Sequence, residues 1–348
     1  MFIRNAWYIA AWQRELVDKP LARRICDEPI VLFRDATGKA SALEDRCCHR
    51  GTPLRLGKIV ATGLQCGYHG LVFDGTGRCV QVPGQTIIPE EVKVQSYPIV
   101  EQDEFVWIWM GEPARADKSL IVPFPYHNDS VNWPHKNEVY HIKANYMLMV
   151  DNLMDLTHLG YVHTTTIGGN PNSHVEAKMK ITPKDQGLHF MRWMLDVIPP
   201  PTYTRTVDFK GRVDRWQEFE YTAPGSVRQW SGALDVGRGA QQNREQPGAF
   251  SIRLFHGLTP ETEGSCFYFW SAANGSRPDD ASATESLYRD SSTAFNEDRV
   301  VVEAQQAELE RSGDRPLVNI VSDTARVHMR RTVNRMLAEE ARHTATPN

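Results

Sequence analysis

Apolar residues recur along this chain in two different rhythms. Over residues 30–109 they fall in short runs, IVLFR, GLVF and VWIWM, separated by the Gly- and Pro-bearing clusters DATGK, DGTG and VPGQ. Turn punctuation at that density predicts a small antiparallel β domain. Residues 140–163 then read as mainly helical, and residues 188–270 return to strands, FHGLTP and SCFYFWSA among them. Ala281–Ser312 contains neither Pro nor Gly and is rich in helix formers, which predicts one long helix. Residues 111–123, flanked by Pro113 and Pro123, form the expected boundary and divide the chain into domains 1–115 and 116–348. The predicted fold class is α+β, an N-terminal antiparallel β domain followed by an antiparallel sheet with flanking helices.

At 348 residues the chain is long enough for two cores of ordinary size. Its 41% hydrophobic and 24% charged residues are those of a globular protein and exclude disorder or a fibrous repeat. No apolar run is long enough to span a bilayer, and the opening MFIRNAWYIAAWQREL lacks a secretory signal's apolar core, so no membrane partner and a cytoplasmic location are expected. A net charge of −4 speaks against nucleic acid as a partner. That charge is uneven: residues 1–80 hold twelve Lys/Arg against eight Asp/Glu, a mildly basic surface suited to an acidic partner or simply to solvent.

Six cysteines are too few for a disulfide scaffold in a chain this long, and their placement next to histidines points to metal. Cys47-Cys48-His49 is followed, after a spacer of sixteen residues, by Cys66-Gly67-Tyr68-His69. Two loops that each supply one thiolate and one imidazole can hold a [2Fe–2S] cluster asymmetrically, sulfurs on one iron and nitrogens on the other, the Rieske arrangement. Structural zinc is the competing reading, but zinc fingers place the Cys pair before the His pair. Gly51, Gly67 and Gly70 permit tight loop backbones around the four ligands Cys47, His49, Cys66 and His69. Cys48 reads as a packed or hydrogen-bonding thiol, and Cys26, Cys79 and Cys266 as small core residues.

A second constellation lies in DNLMDLTHLGYVH, residues 151–163. Asp155 and His158 are neighbours on one helical face, with Asn152 one turn earlier. His163 follows His158 by five residues, about 140° round an ideal helix, so a regular helix does not bring the imidazoles together. Gly160 offers a bulge or helix end that turns His163 back. Two histidines and a carboxylate form the facial triad of non-haem Fe(II) oxygenases, with positions open for O₂; a structural pair of core histidines is the alternative. In the late helix Asp298 is embedded in the apolar face of Phe295, Val302 and Leu309, and burying it without a partner would be costly. Glu297 lies on a neighbouring face with Ala294 and Val301, so spacing alone does not choose between the two acids.

With both motifs in hand, nearly the whole chain resembles the Rieske non-haem iron oxygenases of the vanillate O-demethylase, dicamba monooxygenase and toluenesulfonate methyl-monooxygenase group. The resemblance rests on MFIRNAWYIAAW, ALEDRCCHRGTPL, CGYHGLVFD, NYMLMVDNLMDLTHLGYVH, VDRWQEF, LTPETE and NEDRVVVEAQQ. It implies His158, His163 and Asp298 as iron ligands, Asp155 (with Asn152 nearby) as the catalytic acidic bridge that passes electrons from a cluster on the next subunit, and a head-to-tail homotrimer. Many members have Pro where this chain has Cys48; the Arg-Cys-Cys-His form is that of the toluenesulfonate type. The resemblance further implies electrons from NAD(P)H through a separate flavin- or ferredoxin-type reductase, activation of O₂, and insertion of one oxygen atom into a substrate C–H bond. If that carbon is an aryl methoxy group, the hemiacetal loses formaldehyde.

The same resemblance implies a small aromatic acid as substrate, demethylated at a methoxy group or hydroxylated at a methyl group. Arg228 and Trp230 alternate in SVRQWSGAL and so face one side of a strand, where Arg binds an anion and indole stacks on a ring, although a structural Arg is the commoner case. His256 falls where dicamba-type enzymes place a substrate-contacting histidine. An aromatic-ring dioxygenase shares both metals and is the alternative enzyme; a Rieske electron-transfer protein is the alternative of a different class, opposed by the ligand set beyond residue 116.

Overall fold

The computed structural model describes residues 1–313 and 315–344. The chain divides into two compact units, Met1–Pro123 with Thr259–Glu263, and Phe124–Leu258 with Gly264–Asn348.

The first unit is all β among its described residues apart from short 3-10 turns, in three small antiparallel sheets. Strands Lys58–Val60, Gly63–Gln65, Val72–Phe73 and Cys79–Gln81 form one sheet, and Leu21–Ile25, Glu28–Arg34, Ala40–Glu44 and Ser96–Tyr97 another. Their shared core of Val31, Phe33, Leu43, Leu54, Leu64 and Phe73 also takes in Cys47 and Cys66. Apolar side chains at alternate positions of short strands leave the loops at the strand ends to carry the chemistry.

The second unit is built on a seven-stranded sheet in the order His135–Ile142, Ser265–Asn274, Phe250–Thr262, Ser226–Asp235, Val213–Thr222, Gly187–Val197, Lys178–Lys184. Among the described residues six α-helices complete it: α1 Tyr146–Met154, α2 Leu159–Val162, α3 Pro171–Val175, α4 Pro201–Thr206, α5 Ala281–Ser312 and α6 Thr324–Thr344. Helix α5 packs on the strands His135–Ile142 and Ser265–Asn274, and α1 packs on both α5 and α6. Arg330 of α6 donates through Nε and Nη2 to Asp151 of α1, at 2.9 and 2.6 Å, which ties the two helices by a fork-shaped ion pair. The mixture of sheet and helices matches the expected α+β class.

The segment 140–163 is less helical than its sequence pattern predicts. Residues 140–142 finish an edge strand, and helix begins only after Asn145, whose side chain accepts from Met147 N at 2.9 Å. The helix stops at Met154 because Asp155 leaves the helical region, at φ −126° and ψ 101°.

The predicted long helix is present over Ala281–Ser312. Asp280 caps it, accepting from the Ser282 and Ala283 amides at 2.9 and 3.1 Å. Replacing Asp280 by Ala leaves those amides without the carboxylate, and calorimetry should show a melting point lower by about 2–4 °C. An unchanged melting point would mean that packing alone fixes that helix end.

Candidate metal centres

In the first unit two loops repeat one backbone design. Gly51 N donates to Cys47 O at 2.9 Å and Cys47 N to Thr52 O at 2.9 Å; in the second loop Gly70 N donates to Cys66 O at 3.1 Å and Cys66 N to Leu71 O at 2.7 Å. Each loop closes through a left-handed glycine, Gly51 at φ +71° and Gly70 at +75°, a conformation that side-chain-bearing residues rarely adopt. Cys47 and Cys66 are buried while His49 and His69 are exposed, with the two imidazole centroids 4.6 Å apart. Burial, with the neighbouring Cys66 adding to it, pushes the Cys47 thiol up to about 11. Two inner sulfurs and two outer nitrogens on paired loops are a donor set suited to a two-iron cluster with distinct inner and outer metals. Cys48 is exposed rather than packed. Cys26, Cys79 and Cys266 are buried in core positions.

The second constellation is assembled from α2, the turn before it and α5. Leu156–His158 is a 3-10 turn, α2 lasts only four residues, and His163 at φ −105° and ψ 45° already lies past its end. These breaks, rather than a bulge at Gly160, turn His163 back towards His158. Gly160 itself is buried inside α2, where a Cβ would stand 2.4 Å from Pro171 Cα; its role is to let α3 approach.

Three acceptor atoms face one another here: His158 Nε2 is 3.3 Å and His163 Nε2 3.2 Å from Asp298 Oδ1. The other ring nitrogens are engaged, His158 Nδ1 donating to Asp155 O at 2.6 Å and His163 Nδ1 to Glu297 Oε2 at 2.8 Å. Those bonds put a proton on each Nδ1 and turn both Nε2 atoms towards Asp298, the orientation that a metal ligand requires, with His158 Nε2 also 3.5 Å from Asn152 Nδ2. His163 Nε2 is buried with no directed hydrogen bond. Burial opposes charge on both Asp298 and His163, yet attraction among Asp298, Glu297 and the two imidazoles outweighs it, lowering the carboxyl and raising His163, so a positive charge is favoured where the three groups meet, whether a proton or a metal ion carries it. The geometry thus separates the two acids that spacing left open: Asp298 faces both imidazoles, and Glu297 braces one from behind.

Asn152 Nδ2 donates to Asp298 Oδ1 at 2.9 Å, while its Oδ1 is buried without a partner. The Asp155 carboxylate does not touch His158. Oδ1 accepts from Thr157 N at 3.0 Å and Thr157 Oγ1 at 2.8 Å, and Oδ2 from Ser322 Oγ at 2.9 Å, so only its backbone carbonyl orients the imidazole.

The substrate candidates are placed differently. On the strand Ser226–Asp235, Gln229 and Ser231 line a cavity towards Leu159 and Phe295, and alternation sends Arg228 and Trp230 to the opposite face. There Arg228 Nη2 donates to Glu220 at 2.6 Å and Trp230 Nε1 to Tyr126 OH at 2.9 Å, so the structure does not bring this pair to the cavity. His256 is fully buried on the cavity side but behind its wall. Its Nδ1 lies 2.7 Å from Tyr268 OH and its Nε2 3.0 Å from Gln229 Oε1. An amide oxygen only accepts, so Nε2 carries the proton and Tyr268 donates to Nδ1.

Comparisons with known proteins place these features in context. Residues 6–98 match the Rieske [2Fe-2S] domain and residues 142–339 the vanillate O-demethylase oxygenase C-terminal domain. The iron-sulfur subunit of a toluene-4-sulfonate monooxygenase system from Comamonas testosteroni is 40% identical, over 99% of this chain and 100% of its own length. The vanillate O-demethylase oxygenase subunit of a Pseudomonas species is 36% identical, over 98% and 96%. Among solved structures, dicamba monooxygenase bound to 3,6-dichlorosalicylic acid superposes with a TM-score of 0.89 at 34% identity, covering 98% of this chain and 99% of that one.

Two histidines outside the ligand set give a pH expectation. Burial lowers His174 and His256 from 6.5 to about 3, so both are neutral in the folded protein while their unfolded counterparts titrate normally. Below pH 6.5 the unfolded chain therefore takes up protons that the folded one does not, and stability falls with pH until about 3. Each histidine contributes about 1.4 kcal/mol per pH unit in that window. Urea unfolding at pH 7 and 5 should show the loss, and His256→Gln should flatten the slope; equal slopes would contradict neutral burial.

Proposed function

This chain belongs to the Rieske-type oxygenases with a vanillate O-demethylase-type catalytic domain, and from that membership we propose that it oxidises a small aromatic acid, by O-demethylating a methoxy group or hydroxylating a methyl group. It is an oxygenase component, which works with a separate reductase. The observation that carries the reading is the convergence of two imidazole nitrogens on a buried carboxylate, a donor set that favours a cation where its atoms meet. The relatives named for toluene-4-sulfonate, vanillate and dicamba support an aromatic acid.

Cys47, His49, Cys66 and His69 would hold the [2Fe–2S] cluster, and His158, His163 and Asp298 the mononuclear iron. When bound, these groups supply one-electron transfer and the activation of O₂. Everything else falls to the chain. Glu297 and the Asp155 carbonyl keep the imidazole protons on Nδ1 and fix both rings, and Asn152 orients the Asp298 carboxylate. His49 and His69, being exposed, give the cluster an outward edge at which a donor or acceptor can approach.

Electrons would come from NAD(P)H through a flavin- or ferredoxin-type reductase, in a cytoplasm that keeps the six thiols reduced. No helix among the described residues is long and apolar enough to cross a membrane. In a head-to-tail homotrimer the next subunit's cluster would dock beside Asp155. Exposed Tyr161, Val175, Ile320 and Val321 surround the cavity at that residue, an apolar rim that a protein surface would cover.

Metal analysis of purified protein should give three irons per chain, and His158→Ala or His163→Ala two, with turnover lost. Wild-type activity in either variant would end the triad assignment. Product analysis on methoxybenzoates, methylbenzoates and arylsulfonates tests the chemistry; a cis-diol product would instead indicate ring dioxygenation.

Asp155→Asn should retain both metals and stop electron transfer between them. Mixing it with a Cys66→Ser chain should restore activity from two inactive preparations once subunits exchange. Continued inactivity in mixed trimers verified by mass spectrometry would favour a path within one chain.

A further inference from the structure

Arg215 is 2% exposed, on the helix-facing side of the sheet, and it lines the cavity that Leu159 and Phe295 share. Leu159 follows His158 in the chain, and Phe295 stands three residues before Asp298 on α5, so this space adjoins the three-residue cluster. Nε of Arg215 donates to Tyr203 OH at 3.3 Å, Nη1 to Gly168 O at 3.0 Å and Nη2 to Ile167 O at 2.9 Å. Tyr203 also lies under the guanidinium, 4.9 Å from ring centroid to Cζ. Every one of these partners is neutral, and among the described residues no carboxylate pairs with Arg215. Bracing the 163–168 loop accounts for the carbonyl bonds but not for the charge, since a neutral donor would satisfy them without burying a cation.

The rest of the polar wall is also donor-rich. Gln217 gives its Oε1 to Arg192 Nη1 at 3.0 Å, which leaves its amide protons for the cavity. Ser231 Oγ accepts from Gln229 Nε2 at 2.8 Å, at the end of the directed chain Tyr268–His256–Gln229–Ser231, so its own proton is available to donate. Arg192 is a second buried guanidinium, lowered to about 10 by burial and by the nearby Arg215. An arginine cation with neutral partners, an amide and a hydroxyl that all offer hydrogens is complementary to an anion. The walls beyond are apolar, Phe250, Leu254 and Phe295.

We infer that this cavity is the substrate's anion subsite and that Arg215 holds the carboxylate or sulfonate, with Gln217 and Ser231 as further donors. The inference rests on the aromatic-acid reading above and replaces Arg228 as the anion partner. The void measures about 40 Å³, room for roughly three waters and so for an anionic head group. The ring therefore enters only as the apolar walls move aside.

The test compares the affinity of holoprotein for 4-methoxybenzoate and 4-methylbenzenesulfonate with that for the neutral 4-methoxybenzamide and 4-methylbenzenesulfonamide, by calorimetric titration. Wild-type protein should prefer the acids. Arg215→Gln should lower the acid-to-amide ratio by roughly 10- to 100-fold, the range for losing a hydrogen bond to a charged group. Should that variant fail to fold, Gln217→Glu decides. It keeps the acceptor for Arg192, retains every bond of Arg215 and sets a carboxylate in the cavity, so the ratio should fall again. Circular dichroism and iron content establish that each variant is intact. If wild type prefers acids and an intact variant keeps the full ratio, this inference is overturned alone. If wild type binds amides as tightly as acids, the aromatic-acid reading falls and the inference with it.

Discussion

Three ligand atoms that converge on one point govern the second unit. His158 Nε2 and His163 Nε2 lie 3.3 and 3.2 Å from Asp298 Oδ1, and His163 and Asp298 are buried. Such an arrangement persists only if each group is held in place. The Asp155 carbonyl and the Glu297 carboxylate hold the two rings from behind, and the Asn152 amide donates to Asp298 Oδ1 itself. The local irregularities follow from the same need: helix broken at Asp155, a four-residue α2, and Gly160 making way for α3. A regular helix over 146–163 would score better on propensity and would scatter the three groups. Local conformational preference has yielded to the site.

The sheet separates two kinds of chemistry. On its helix-facing side lie Arg192, Arg215, Gln217 and His256, buried and partnered largely by neutral groups. On the other side charges pair with charges, Arg228 with Glu220 and Arg244 with Glu218. Residues adjacent in sequence thus differ in fate by the parity of their position. Gln217 lines the cavity, while Glu218 beside it pairs with Arg244.

That parity explains what the sequence could and could not reveal. The metal motifs were legible because ligand spacing within a loop is a local property, and Ala281–Ser312 because an uninterrupted run of helix formers is one too. Alternation also placed Arg228 and Trp230 together on one face. It could not say which face, because that depends on where α5 packs. Arg215 escaped notice for the matching reason: VDRWQEF alternates polar and apolar residues on both sides, and its buried face contains Arg and Gln where Val or Leu is the ordinary expectation. The distinction between Asp298 and Glu297 was likewise tertiary, since the two are consecutive on α5 and only the position of α2 tells them apart. For Asp155 the resemblance implied a bridging carboxylate; in the structure that carboxylate is held by Thr157 and Ser322, and it is the backbone carbonyl that orients His158.

The paired loops of the first unit are closed by main chain. In each, two backbone hydrogen bonds and a left-handed glycine fix the loop that carries one Cys and one His. A side chain at Gly51 or Gly70 would strain that closure and so displace a thiol and an imidazole together, although neither glycine is itself a ligand. The fragility of such a site therefore lies as much in residues without a side chain as in the four that bear the donors.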